Sequence, residues 1–168
     1  NTDAVKITAD WVNLSGFKIQ NSGRFGVSFS ANNNTISNNL ITNNDGDGIH
    51  LTNSDHNTIS NNTIEDNGDY GGDDDGIYLT NSDNNTISNN TIEDNGGHGI
   101  YISGSSNTIS NNTIDDSEDD AIRIEGSGTG NTTTGNTIGG YSSKGGILVL
   151  TDSNIVTNNN VTSVGGWS

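Results

Sequence analysis

Apolar residues in this chain are sparse, and they recur at a fixed interval. The string NTISNN begins at Asn34, Asn57, Asn85 and Asn107, with degraded copies at Asn131 and Asn154. Aligning on its third residue puts Leu14, Ile36, Ile59, Ile87, Ile109, Thr133 and Val156 in one column, at steps of 22, 23, 28, 22, 24 and 23 residues. A period of this length marks a repeat architecture and is read before local propensity. A second column follows five residues later: Ile19, Ile41, Ile64, Ile92, Ile114, Ile138 and Val161. Two more columns lie two residues apart. The first holds Val5, Val27, Ile49, Ile77, Ile100, Ile122 and Ile147, and the second holds Ile7, Phe29, Leu51, Leu79, Ile102, Ile124 and Val149.

Each repeat therefore predicts three very short strands, β-branched on one face and polar on the other, joined by Asn, Gly and Ser turns. No stretch has helical periodicity. One turn cannot bury its few Ile side chains, whereas turns stacked at roughly 4.8 Å make continuous aliphatic ladders. The expected fold is all-β: a right-handed parallel β-helix of about seven turns, the hand following from the preference of parallel crossovers. Asn is in register too, at Asn34, Asn57, Asn85, Asn107, Asn131 and Asn154, and again at Asn39, Asn62, Asn90, Asn112, Asn136 and Asn159. Asn suits left-handed corners, and stacked amides can hydrogen-bond between turns, so most of the Asn is expected to be structural. The sequons at Asn13, Asn33, Asn61, Asn84, Asn89, Asn111, Asn131 and Asn160 arise from an NNT repeat and carry little weight as glycosylation signals.

Composition alone would point elsewhere. Of 168 residues only 27% are hydrophobic and the net charge is -16, a balance typical of disorder, which the periodicity overrides. The length fits a single domain over residues 1–168, either a segment of a longer solenoid or a subunit in one. There is no Cys, which excludes disulfides, thiolate metal sites and thiol catalysis. No apolar run is long enough to span a bilayer, and the first residues do not read as a signal peptide. With no Met and a start at Asn1, the expectation is a processed or excised chain. Five Lys and Arg against 21 Asp and Glu argue against nucleic acid as a partner.

The repeats resemble the NosD-like parallel β-helix repeats of extracellular, periplasmic and cell-surface proteins, described as carbohydrate-binding and sugar-hydrolysis modules. A second resemblance lies just before the third strand of each turn, where NDGDGIHL, GGDDDGIYL, GGHGIYI and AIRIEG follow one another. Polygalacturonase-like glycoside hydrolases carry an Asn-Thr-Asp, an Asp pair, a Gly-His-Gly and an Arg-Ile-Lys on successive turns. That resemblance implies a polysaccharide hydrolase or lyase with Asp47, Asp74, Asp75, His98 and Arg123 as its catalytic set. Inverting hydrolysis needs one protonated carboxyl and one carboxylate, with His98 to tune the acid and Arg123 to hold a substrate carboxylate. Here Asp45-Gly46 stands where the family has Asn-Thr, Glu125 stands where it has Lys, and the chain is shorter than the usual barrel.

The turn from Ile64 to Ile77 is longer than its neighbours and gathers Asp69, Asp73, Asp74 and Asp75, oxygen ligands of the kind Ca²⁺ prefers. Asp115, Asp116, Glu118, Asp119 and Asp120 form a second acidic group. On the outward position of the third strand, Tyr78 and Tyr101 are candidates for stacking on sugar rings or on each other. Solenoid ends need caps, and none is visible here, so Trp11, Leu148, Leu150 and Trp167 are read as assembly residues, stacking on further turns or on another copy. The leading expectation is an extracellular or cell-surface β-solenoid with a structural or adhesive role that contacts polysaccharide. It requires no cofactor, with Ca²⁺ as the candidate ion, and a polygalacturonase-like enzyme is the alternative.

Overall fold

The computed structural model describes residues 2–68, 72–140 and 144–162. All of its regular structure is short parallel strand, arranged as three seven-stranded sheets that are each visited once per turn. The first sheet contains Val5–Ile7, Val27–Phe29, Ile49–Thr52, Ile77–Thr80, Ile100–Ser103, Ile122–Ile124 and Ile147–Val149. The second runs from Asn13–Ser15 to Ile155–Thr157, and the third from Lys18–Gln20 to Asn160–Val161. Every step of the four apolar columns is an in-register pair, for example Ile36 with Ile59, Ile64 with Ile92, and Ile77 and Leu79 with Ile100 and Ile102. In the middle turns these side chains have no solvent exposure, so the chain concentrates its limited hydrophobic content in one axial core.

The corners divide the Asn residues into two jobs. Asn33, Asn38, Asn61, Asn84, Asn89, Asn111 and Asn158 adopt positive φ, the left-handed conformation that Asn tolerates better than most residues. Their C-terminal neighbours belong to the two Asn columns noted above, which are buried except at Asn154 and Asn159 and form amide ladders. Asn62 Nδ2 donates to Asn90 Oδ1 at 3.0 Å, and Asn90 Nδ2 donates to Asn112 Oδ1 at 3.0 Å. A third ladder, Asn44, Asn67 and Asn95, runs beside the third sheet, at 2.8 and 3.0 Å per step. Most sequon Asn residues are thus corner residues, whereas Asn131 is wholly buried and closed to modification.

Thr133 breaks the aliphatic column between Ile109 and Val156. It is fully buried, and its Oγ1 has no hydrogen-bond partner. A buried unsatisfied hydroxyl costs about 1–3 kcal/mol. Thr133→Val, which keeps the shape and removes the hydroxyl, is expected to raise stability by about 1–2 kcal/mol. Urea denaturation checks this, with a raised midpoint at unchanged slope expected.

Candidate functional site

The site sits where each turn enters the first sheet. There a residue is followed by Gly (Gly26, Gly48, Gly76, Gly99), and a side chain is excluded. A Cβ on Gly76 would lie 2.7 Å from Gly99 O and 2.7 Å from Ile92 Cγ2. Backbone bonds from these glycines put the preceding residues in register: Gly48 N donates to Asp75 O at 3.0 Å, Gly76 N to His98 O at 2.9 Å, and Gly99 N to Asp120 O at 3.3 Å. Phe25, Asp47, Asp75, His98 and Asp120 therefore form one axial column. Asp120 belongs to it although Ala121 replaces the glycine.

The column is braced from side chain to backbone. Asp75 N donates to Asp47 Oδ1 and His98 N donates to Asp75 Oδ1, both at 2.6 Å. Asp47 Oδ2 also meets His50 Nδ1 at 2.6 Å. Asp75 is 2% exposed. Burial, reinforced by the charge of Asp47, pushes its carboxyl up to about 9, so it carries a proton at neutral pH. His98 is held below its ordinary value, chiefly by burial. The Asp120 N–H donates to its Nδ1 at 3.0 Å, which leaves the ring proton on Nε2, 3.7 Å from Asp119 Oδ2.

Two residues beyond each glycine, the outward side chains of the strand stack. Phe25, from the column itself, lies 4.1 Å from His50, followed by His50 to Tyr78 at 4.8 Å and Tyr78 to Tyr101 at 4.9 Å, all near parallel. Both faces of Tyr78 are covered by neighbouring rings. A sugar would therefore meet the edges and hydroxyls of Tyr78 and Tyr101, and the rings pack across turns. Tyr101 donates its hydroxyl to Glu125 Oε1 at 2.7 Å, and burial with this bond holds its own proton more firmly than usual. Arg123 is paired to Glu125 Oε2, from Nε at 2.8 Å and Nη2 at 2.6 Å, and to Asp120 Oδ2 at 3.4 Å.

These groups enclose a cleft of about 300 Å³ lined by Asp73, Asp75, Tyr78, Gly97, His98, Tyr101, Arg123 and Glu125. Of the residues singled out from sequence, Asp73, Asp75, His98, Arg123, Tyr78 and Tyr101 converge here. Asp47 lies one turn away, engaged with His50, and Asp74 is not among the lining residues. Glu125 and Asp120, which fix Arg123 and His98, were outside the expected site. A repeating residue before Gly-Ile, and a same-face pair two apart on a strand, were the signals for them.

Among the described residues no three His, Asp or Glu side chains form a metal-binding group. Asp69 lies outside the described residues, and of the other three only Asp73 and Asp75 line the cleft. A separate trough of about 330 Å³, beside the third sheet, is lined by Asp66, Gly68, Asp94, Asn95, Gly96, Asp116 and Glu118. There Glu65, Glu93 and Asp115 stack in register, and burial plus mutual repulsion raise the Glu93 and Asp94 carboxyls.

At the two ends, Trp11 is 80% exposed and Leu150 55%. Leu148 is half-buried in register with Arg123. Trp167 lies outside the described residues.

Parallel in-register coiling of this kind defines a β-helix, and the chain belongs to the family described as "Right handed beta helix region", which matches residues 3–161. The A-module of mannuronan C-5 epimerase AlgE6 from Azotobacter vinelandii superposes with a TM-score of 0.79 at 20% identity, over 98% of this chain and 52% of that one. Pectate lyase Pel9A gives 0.70 at 16% identity, over 96% and 55%. The alginate lyase from Paenibacillus sp. str. FPU-7 gives 0.63 at 17% identity, over 92% and 70%. At these identities the likeness is one of fold. The chain spans about half the length of the first of these structures. No curated protein matches the sequence.

Proposed function

We propose that this protein is an extracellular β-solenoid with a structural or adhesive role that binds polysaccharide in the cleft on its first sheet. The observation that carries this reading is the convergence of Asp75, Tyr78, His98, Tyr101, Arg123 and Glu125 around one open groove of roughly sugar size. Such a groove offers donors and acceptors fixed by the fold, with ring edges between them. Support for polysaccharide as a class, though not for its charge, also comes from the fold likeness to structures whose names identify them as acting on mannuronan, pectate and alginate. Calorimetric titration of the full chain with a panel of oligosaccharides tests it. Saturable binding to at least one, weakened about tenfold by His98→Ala, is expected, and the absence of binding across the panel overturns it.

A second reading, a polysaccharide hydrolase or lyase, is favoured by the protonated state of Asp75. In the hydrolase form, the Asp75 proton passes to the glycosidic oxygen as the bond to C1 breaks, and water adds at C1 with its proton taken by Asp73. His98 would hold Asp75 through its backbone N–H, and Arg123 would stay anchored by Glu125. Release of reducing ends from the bound oligosaccharide separates this enzyme from a binding module.

The ends belong to the same proposal. Leu150, Ile155, Val156 and Val161 are each 44% or more exposed on the last described turn, and Trp11 and Phe17 on the first. Further solenoid turns, from flanking chain or from a second copy, would cover them. Sedimentation velocity is expected to show concentration-dependent association that Trp11→Ser reduces; a strictly monomeric chain at millimolar concentration argues against stacking of copies.

A further inference from the structure

We infer that the cleft selects glycans by charge, taking chains with protonated amino sugars in preference to neutral ones and rejecting polyuronates. This rests on the reading of the cleft as a polysaccharide site. Arg123 is the cation that lines it, and its guanidinium is already held by Glu125 at 2.6 and 2.8 Å and by Asp120 at 3.4 Å. A second cation, Lys144, is bound to Asp119 at 2.7 Å. A uronate carboxylate would meet a guanidinium whose charge is already offset by two carboxylates, and would lie beside both of them.

The proton inventory points the same way. Burial lowers the His98 imidazole, and its Nε2 lies 3.7 Å from Asp119 Oδ2, so any charge the ring takes up is already faced by a carboxylate. Among the described residues, Asp73 and Glu125 line the cleft and Asp119 and Asp120 contact its His98 and Arg123, outnumbering Arg123 and Lys144, so the local potential is negative within a molecule of net charge -16. A sugar ammonium group gains from that potential, and a hydroxyl is indifferent to it. In the catalytic reading this selection favours hydrolysis over elimination, since β-elimination needs a uronate carbonyl carbon to acidify the neighbouring proton.

The test is calorimetry on the full chain at pH 5.5 and low salt, with hexamers of glucosamine, N-acetylglucosamine and galacturonate as probes. The glucosamine hexamer is expected to bind about tenfold or more tightly than its N-acetylated counterpart, and the galacturonate hexamer not measurably. Glu125→Gln is expected to weaken glucosamine binding about fivefold more than it weakens N-acetylglucosamine binding. Glu93→Gln, on the third sheet, is expected to change neither. Equal or tighter binding of galacturonate overturns the inference while leaving polysaccharide binding standing. An effect of Glu93→Gln as large as that of Glu125→Gln also overturns it, since the attraction would then be a property of the whole surface. No binding by any hexamer overturns this inference and counts against the polysaccharide reading with it.

Discussion

Asn90→Ala is expected to lower stability by about 4 kcal/mol, the combined cost of orphaning several buried polar groups. Asn90 Oδ1 accepts from Asn62 N and from Asn62 Nδ2, each at 3.0 Å, and its own Nδ2 donates to Ile59 O and Asn112 Oδ1, each at 3.0 Å. Alanine leaves the buried Asn62 backbone N–H without its acceptor and takes one donor each from the Ile59 carbonyl and Asn112 Oδ1. Asn90→Asp is expected to fare no better, because a carboxylate cannot donate to Ile59 O and would repel Asn112 Oδ1. The adjacent residue provides the contrast. Asn89 is exposed at φ 57, so Asn89→Ala is expected to cost only about 1 kcal/mol and Asn89→Gly close to nothing. Urea denaturation of the four variants checks the ranking, and near-equal effects at the two positions would contradict the ladder.

Asp75→Asn is expected to do the reverse: stabilise the fold while removing the carboxyl proton. With an unfolded value of 3.8 and a folded value of about 9, Asp75 in the folded chain holds a proton that the unfolded chain releases. Between those values stability falls as pH rises, by up to 1.36 kcal/mol per pH unit, and above about 9 it levels. Glu93 and Asp94, also raised, add loss of the same sign. His98, lowered by burial, acts oppositely below about 6.5, where the unfolded chain takes up a proton that the folded one resists. The clean window is therefore about pH 6.5 to 9. Asn is nearly isosteric and has no proton to lose. The variant should gain up to about 4 kcal/mol at pH 7 and flatten the pH dependence across that window. If the cleft is hydrolytic, the variant should retain oligosaccharide binding and lose turnover, the usual opposition between stability and a strained functional group.

Stacking converts sequence period directly into spatial register, which is why the four aliphatic columns are legible in the amino-acid sequence. Their inward residues pair as aligned, from Leu14 with Ile36 to Ile138 with Val161. The division of labour within each Asn pair is not legible there. Asn89 and Asn90 carry identical side chains, and only backbone φ separates a corner from a ladder rung. The third ladder is hidden because Asn44, Asn67 and Asn95 precede varied residues rather than the NTI string. In the cleft, the positions of Asp75, His98, Tyr78, Tyr101 and Arg123 follow from register. What the side chains do there does not: the Tyr rings cover each other's faces, and Glu125 binds the guanidinium expected to meet substrate. Charge pairing depends on rotamers, which a repeat alignment does not encode.

The most direct test is carbon NMR titration of the Asp75 carboxyl in the intact chain, assigned by comparison with Asp75→Asn. A midpoint near pH 9, with the carboxyl protonated throughout the neutral range, is the expected result. A midpoint below about 5 would make Asp75 an ordinary turn-bracing carboxylate and contradict the account of the cleft.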